Sequence, residues 1–382
     1  MSRQVPFYRH DLQAGDAEKI ARVLRSPILT SGSVGKEVEA QLAQFFGTKH
    51  AGLVNSWTNG ALAALLAMDI RQGDEVIVPA MTFIASANIV ELVGAKPVFV
   101  DVEPDTLLIS FERMLDALTP ATKAIIPVHL YGQMVDLRRM RRLLAEAGRT
   151  DIMIIEDAAH CVEGRFDNYG PGAHSDIAIF SFYATKNLTC GEGGAYVTNR
   201  DDLADTMLQT RLHGMGAGAA DRYSKGTYRH WDMARLGTKA NLPDILAALL
   251  PHQIATLRER LEVRQKLAAN YENGLRGTPI RIAKVRPEAL SARHLFAIHV
   301  TPRIRDEAIA ILNASGIGVT VNFRSVPTMT YYRQKYRFTA ESFPVSYEWG
   351  EGTITLPFFP SLTQDDQNYV IEVVRTRIAP LC

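Results

Sequence analysis

The 382-residue chain is poor in cysteine and shows no excess of either charge. Its three cysteines, Cys161, Cys190 and Cys382, form no C-x-x-C pair. An odd, scattered set argues against a disulfide framework and a zinc site, and it fits a reducing cytoplasm. With 42 basic and 41 acidic residues the formal net charge is +1, so no global field draws in nucleic acid or an anionic membrane. No apolar run approaches the length of a transmembrane helix, and the start MSRQVPFYRHDL lacks the apolar core of a signal peptide. Repeats, low-complexity tracts and a basic DNA-reading extension are also missing. What remains is a soluble composition, 47% apolar and 22% charged, on a chain long enough for a large core and two domains.

Through the first 210 residues, short apolar runs alternate with helical patterns. Strands are expected at Ala51–Asn55, Glu75–Val78, Pro97–Val102, Ala124–Val128, Ile152–Glu156 and Ile177–Phe182. Helices are expected at Gly60–Met68, Ser86–Val93, Phe111–Ala117, Leu137–Ala147 and Asp202–Arg211. Continuous apolar strands alternating with helices predict a mainly parallel α/β sheet with right-handed crossovers. Gly193–Asn199 adds an antiparallel strand. After Pro243 the texture changes, and one long helix is predicted over Asp244–Leu275. Strands at His294–Val300 and Val319–Phe323 and helices at Asp306–Ser315 and Gln364–Arg377 follow. The division is therefore a large domain over 1–243 and a connecting helix with a small α+β domain over 244–382.

Ligands of an open α/β sheet bind beyond the carboxyl ends of its strands. The run IIED places Asp157 at one such end. The run IAIFSF places Ser181 at another, and Lys186 follows four residues after Phe182. A desolvated carboxylate needs a cation, and a protonated pyridine nitrogen is one. A lysine in a partly dry pocket has the lowered pKa that a Schiff-base amine requires. The pair fits pyridoxal 5'-phosphate (PLP), although a strand-end acid and a loop lysine also form plain salt bridges. The turn NSWTNG (55–60) offers exposed amides at a helix start, where phosphate binds. An ordinary N-cap reads the same way.

The segments GDEVIVPAMTFIASAN (73–88), GAKPVFVDVEPDTL (94–107), KAIIPVHLYGQ (123–133), IIEDAAH (154–160) and FSFYATKNLTCGEGG (180–194) together resemble the DegT/StrS sugar aminotransferases of PLP fold type I. The resemblance runs from about Pro6 to the final helix. It implies that Lys186 carries PLP and shuttles the proton, and that Asp157 pairs with the pyridinium. It places His160 near the ring oxygen, Phe83 on the ring face, and Trp57, Thr58 and Ser181 at the phosphate. Gly, Ala or Cys is usual where Trp57 stands, so its indole must turn elsewhere, for instance towards the substrate. Asn241 matches a residue reaching the phosphate of a neighbouring subunit, which implies a homodimer with shared sites. The Tyr usual before it is Ala240 here.

The resemblance further implies L-glutamate as amino donor and a nucleotide-linked keto sugar as acceptor, in surface-polysaccharide or lipopolysaccharide amino-sugar synthesis. RLHGMG (211–216) and GVTVNFRSVPTMTYYRQKY (318–336) look closest to the enzymes that make UDP-4-amino-4-deoxy-arabinose, which implies amination at C4. Asn322 departs from the His usual in that group. Arg211, Arg324 and Lys239 are candidates for a diphosphate, Glu192 and Tyr183 for sugar hydroxyls, and Thr30 and Ser31 for the site rim. Alternatives are a sugar 3-aminotransferase, a desulfurase using Cys190, and a non-catalytic regulatory protein of the same fold.

Overall fold

The apolar runs close into one sheet in the computed structural model, which describes residues 3–215, 230 and 232–382. Its strands are β1 (His50–Val54), β2 (Glu75–Pro79), β3 (Lys96–Val100), β4 (Thr122–Ile125), β5 (Met153–Asp157), β7 (Ile177–Ser181) and β8 (Gly194–Thr198), with a short β6 (Arg165–Phe166) outside the sheet. The order is β1-β8-β7-β5-β4-β2-β3. Only β8 runs against the rest, pairing antiparallel with both β7 and β1. β7 is buried along its whole length, as expected of a strand covered by helices on both faces.

Two helices precede the sheet, α1 (Asp16–Leu24) and α2 (Ser33–Phe46); the sequence reading had assigned neither. α3 (Trp57–Ala67) follows β1, and α4 (Ala85–Leu92) follows β2. The sequence of α3, WTNGALAALLA, is rich in Ala and Leu, the strongest helix formers. It starts at Ser56, whose hydroxyl accepts the Asn59 N–H at 3.1 Å. The helix is apolar on several sides because sheet and neighbouring helices enclose it. Leu65 is wholly buried there, and cutting it back to Ala should cost about 2–5 kcal/mol.

A second apolar cluster gathers Leu267, Tyr271, Phe296, Ile298, Leu312, Ile354 and Val370, with Val5 from the start of the chain. It packs on a three-stranded antiparallel sheet of β9 (Arg281–Ile282), β11 (Phe296–His299) and β12 (Thr353–Leu356). β10 (Ala289–Leu290) pairs with β6.

Two expectations fail in this half. The helix predicted over Asp244–Leu275 is three helices, Asp244–Ala247, Pro251–Ala255 and Leu257–Gly274. Pro251 has no N–H to continue the first and so begins the second. Val319–Phe323 is not a strand. It makes one bridge, Thr320 to Thr355, and then leaves the sheet. The Asn322 carbonyl is held by the Tyr131 hydroxyl at 2.5 Å, which draws the segment towards the large sheet. Among the described residues no helix is long and apolar enough to cross a membrane.

Candidate active site

A cavity of about 430 Å³ opens at the carboxyl edge of the large sheet. Asp157, the last residue of β5, pairs in register with Ile179 of β7, so Asp157 and Ser181 emerge side by side. The Asp157 carboxylate accepts the Ala159 N–H at 3.1 Å on Oδ1 and the Ser86 hydroxyl at 2.9 Å on Oδ2. The Thr82 hydroxyl lies 2.9 Å from that of Ser86, extending the chain by one link. Asp157 is buried, and burial pushes its pKa up against the pull of Ala159, Ser86, Lys186 and His129. No lysine or arginine among the described residues forms an ion pair with it.

The preceding acid is handled differently. Glu156 points to the opposite face, as alternate strand residues must. It is fully buried, and His129 Nε2, the Gly172 N–H and the Ser175 hydroxyl all bond it. Of two adjacent buried acids, one is saturated and one lacks a cation.

Lys186 lies in the loop after β7, its N–H donating to the Tyr183 carbonyl at 2.9 Å. Its side chain lines the cavity without an ion-pair partner among the described residues. Burial lowers its pKa to about 8, while the Asp157 charge acts in the other direction. The plain salt bridge is therefore absent: the two groups share a cavity and do not pair.

The amides of Trp57 and Thr58, in the first turn of α3, carry no hydrogen bond to the described residues, as expected of a helix N-terminus. Both residues line the cavity, with Ser181. β8 comes very close at this point. A Cβ on Gly194 would stand 2.4 Å from the Phe180 carbonyl oxygen and 3.1 Å from the Trp57 nitrogen, so only glycine fits. The Trp57 indole is 6% exposed and joins the core, which corrects the expectation that it reaches towards substrate.

Phe83 is 54% exposed on the cavity wall, with its ring 5.9 Å from that of Phe323, so it is not core packing. His160 also lines the wall, and its Nδ1 accepts the Tyr131 N–H at 3.3 Å. Burial, helped by the Lys186 charge, holds its pKa well below the usual histidine range. Asn241 lies away from this cavity, donating to the Thr30 and Ser31 hydroxyls at 3.0 Å each.

The other candidates divide. Glu192 and Tyr183 line the cavity. Arg211 does not: it bonds Glu39 and the Leu53 carbonyl, both at 2.7 Å. Arg324 bonds Glu351. Gly216, the end of the RLHGMG segment, lies outside the described residues. Burial pushes the Cys190 thiol up to about 12, which leaves no ready thiolate for a desulfurase. Sequence reasoning missed Ser86, Phe7, His294 and Thr320, and it had marked Asn322 only as a departure from the related enzymes. Ser86 was findable, as the hydroxyl four residues after Thr82. The others reach the cavity from remote parts of the chain.

The residues fit PLP: a pyridinium is the cation Asp157 lacks, and unbonded first-turn amides suit a phosphate. Fold and site together define a PLP enzyme of fold type I. The chain belongs to the DegT/DnrJ/EryC1/StrS aminotransferase family, whose model matches residues 10–375. It is accordingly a PLP-dependent aminotransferase. Among solved structures, DesV of S. venezuelae, in complex with a ketimine intermediate, is 33% identical over 98% of both chains at a TM-score of 0.89. Spr1654, a sugar aminotransferase candidate from Streptococcus pneumoniae solved in a PLP form, is 28% identical over 98% of both chains at a TM-score of 0.90. A family member from Brucella abortus is 30% identical over 94% of both chains at a TM-score of 0.84.

Proposed function

We propose that this enzyme moves an amino group from L-glutamate to C4 of a nucleotide-linked keto sugar. The observation that carries the sugar reading is the polar wall facing Lys186. There Asn322, Thr320, Glu192 and Tyr183 line the same cavity as Lys186. A wall carrying a carboxamide, a carboxylate and two hydroxyl groups favours a ligand rich in hydroxyls. The name given to Spr1654 points the same way. Preference for C4 and for a UDP-4-amino-4-deoxy-arabinose-like product rests on the motif resemblance. Asn322 departs from it. The product would serve surface-polysaccharide or lipopolysaccharide synthesis in the cytoplasm.

In this reading Lys186 would hold PLP as a Schiff base and Asp157 would pair with its ring nitrogen. The Trp57 and Thr58 amides and Ser181 would hold its phosphate, Phe83 its ring face, and the His160 Nε2–H its ring oxygen. When bound, PLP supplies an electron sink for the carbanion formed at the donor Cα. Ser86 and Ala159 fix the Asp157 carboxylate so that its charge stays on the nitrogen. Lys186, as a neutral amine, would take the proton from the donor Cα and hold it as an ammonium for delivery to the cofactor side of the C–N bond. Asn241, turned away from its own cavity, would serve the phosphate site of a second copy in a homodimer. For the nucleotide diphosphate Lys239 is the remaining candidate, exposed and without an ion pair among the described residues.

The test is spectroscopic. Glutamate should bleach the near-visible cofactor band of the loaded enzyme, and a nucleotide keto sugar should restore it. NMR of the product then assigns C4 or C3. A band that glutamate leaves unchanged would favour the non-catalytic reading. A bleached band that no keto sugar restores sinks the sugar assignment.

A further inference from the structure

Two imidazoles, His160 and His294, meet in the cavity wall with centroids 4.4 Å apart. Their surroundings fix opposite tautomers. His160 Nδ1 accepts an amide proton from Tyr131, so its own proton is on Nε2. His294 Nδ1 lies 3.2 Å from Asn187 Oδ1. The orientation of that amide is set from behind. Asn187 Nδ2 donates to the Glu163 carboxylate at 3.2 Å and to the Ala292 carbonyl at 3.0 Å, and both of these only accept. Arg264 anchors the assembly by bonding Glu163 and, at 3.2 Å, the Ala292 carbonyl. Asn187 therefore turns its oxygen to His294, which must carry its proton on Nδ1. The His294 Nε2 is left with a lone pair.

No hydrogen bond joins Lys186 Nζ to that lone pair in the cofactor-free chain, but the Lys186 charge acts on the ring. Lys186 and His294 line the main cavity together, and they also border a second, smaller cavity of about 20 Å³. The charged groups acting on the His294 ring are Lys186, His160 and Arg264, and burial keeps the ring neutral. Asp11 and Arg260, which also border the small cavity, are paired with each other at 3.2 Å. His160, protonated on Nε2, cannot accept from an ammonium.

We propose that His294 is a positioning residue for Lys186: in the cofactor-loaded enzyme its Nε2 accepts a hydrogen bond from the Lys186 ammonium once that amine has been released. The imidazole holds the released lysine at the cavity wall and stabilises its protonated form between proton transfers. Asn187, Glu163 and Arg264 hold the ring in the tautomer that makes this possible. The proposal rests on the reading of Lys186 as the cofactor-bearing amine. Borohydride reduction and peptide mapping of the PLP-loaded enzyme check that reading separately.

The experiment uses the full chain loaded with pyridoxamine phosphate, in which Lys186 is free. Acetylation of Lys186 by acetic anhydride is followed across pH by peptide mass spectrometry, because only the neutral amine reacts. His294→Phe keeps the ring and removes the lone pair. Its labelling half-point should fall by about one pH unit, the size of one charge-assisted hydrogen bond, giving about tenfold faster labelling at a fixed acidic pH. His294→Gln, whose side-chain oxygen still accepts, should return the half-point towards wild type. Coincident curves for wild type and His294→Phe overturn the proposal, as does a Gln variant shifted as far as Phe. Should the Phe variant not fold, Asn187→Ala carries the test. It frees the tautomer and must lower the half-point, and an unmoved curve is equally fatal. No sugar or amino donor enters the assay, so failure of the substrate reading leaves this result standing.

Discussion

Replacing Asp157 by Asn should have opposite effects on the cofactor-free and the loaded protein. The replacement fits locally. The Asn oxygen can keep the Ala159 N–H, and its NH₂ can donate to Ser86, whose hydroxyl then turns to donate to Thr82 at 2.9 Å. Only the charge is lost. Burial raises the Asp157 pKa on folding, so without cofactor the folded chain holds this proton more tightly than the unfolded chain. Stability from that group is present at acid pH and falls away as pH rises through the folded value. Above that value the ionised carboxylate is a net cost, and there Asp157→Asn should raise the Tm of the cofactor-free chain.

With PLP the sign reverses. Unit charges 4 Å apart in surroundings of effective dielectric ~20 attract by ~4 kcal/mol, or about three decades. Loss of the ring proton from the cofactor relieves part of this, so the ceiling is not reached. We expect the glutamate half-reaction to slow by about ten- to a thousandfold. We also expect PLP to raise the Tm by less in the variant than in wild type. Thermal scans with and without PLP, and stopped-flow absorbance after mixing with glutamate, measure both. A variant within twofold of wild type in the half-reaction refutes the assignment of Asp157 to the ring nitrogen. A lowered cofactor-free Tm refutes the account of its burial.

The pH profile should carry the mark of Lys186. With the pKa of the free amine lowered to about 8, proton abstraction from the donor should rise with pH and level off above that value. Lys186→Ala should abolish turnover at every pH, and a variant keeping substantial transamination would remove Lys186 from the mechanism. Gly194→Ala would drive a methyl group to within 2.4 Å of the Phe180 carbonyl oxygen. Overpacking of this kind should cost about 1–3 kcal/mol, read as a lower denaturant midpoint, with weaker PLP retention because the Trp57 amide lies on the same side. An Ala variant with wild-type midpoint and retention would show that β8 does not brace the phosphate turn.

The parts of the site that a linear reading could find lie where chemistry coincides with a strand end. Asp157 and Ser181 stand at the ends of apolar runs that can only be buried strands, and Lys186 follows one of them closely. Their neighbourhood was visible because parallel strands share one carboxyl edge. His294, Thr320 and Phe7 were invisible for a complementary reason. They reach the cavity through tertiary packing between remote parts of the chain, and nothing local marks a histidine before a strand as a wall of a distant pocket. The errors have the same origin. Val319–Phe323 has a strand's composition, but after Thr320 no neighbouring edge pairs with it, and Tyr131 captures it instead. The interruption at Pro251 was legible and was overridden by the regular apolar spacing around it. The indole of Trp57 was expected to turn to the substrate because a bulky residue looks out of place at a phosphate turn. The space enclosed around α3 takes it instead.

The two acids that end β5 have a consequence for how the chain reaches this fold. Glu156 and Asp157 share charge and neighbourhood, and they differ in which face they serve. A slip of β5 by a single residue would exchange them. Asp157 would then face His129, Gly172 and Ser175 with one methylene too few, and Glu156 would crowd Ser86. The seam beneath the sheet would lose its bonds in the same event that spoiled the cavity above it. A chain with a damaged active site could not then persist as a well-folded protein. The saturated acid thus acts as a checkpoint for its uncompensated neighbour, and binds correct assembly to competence for the cofactor.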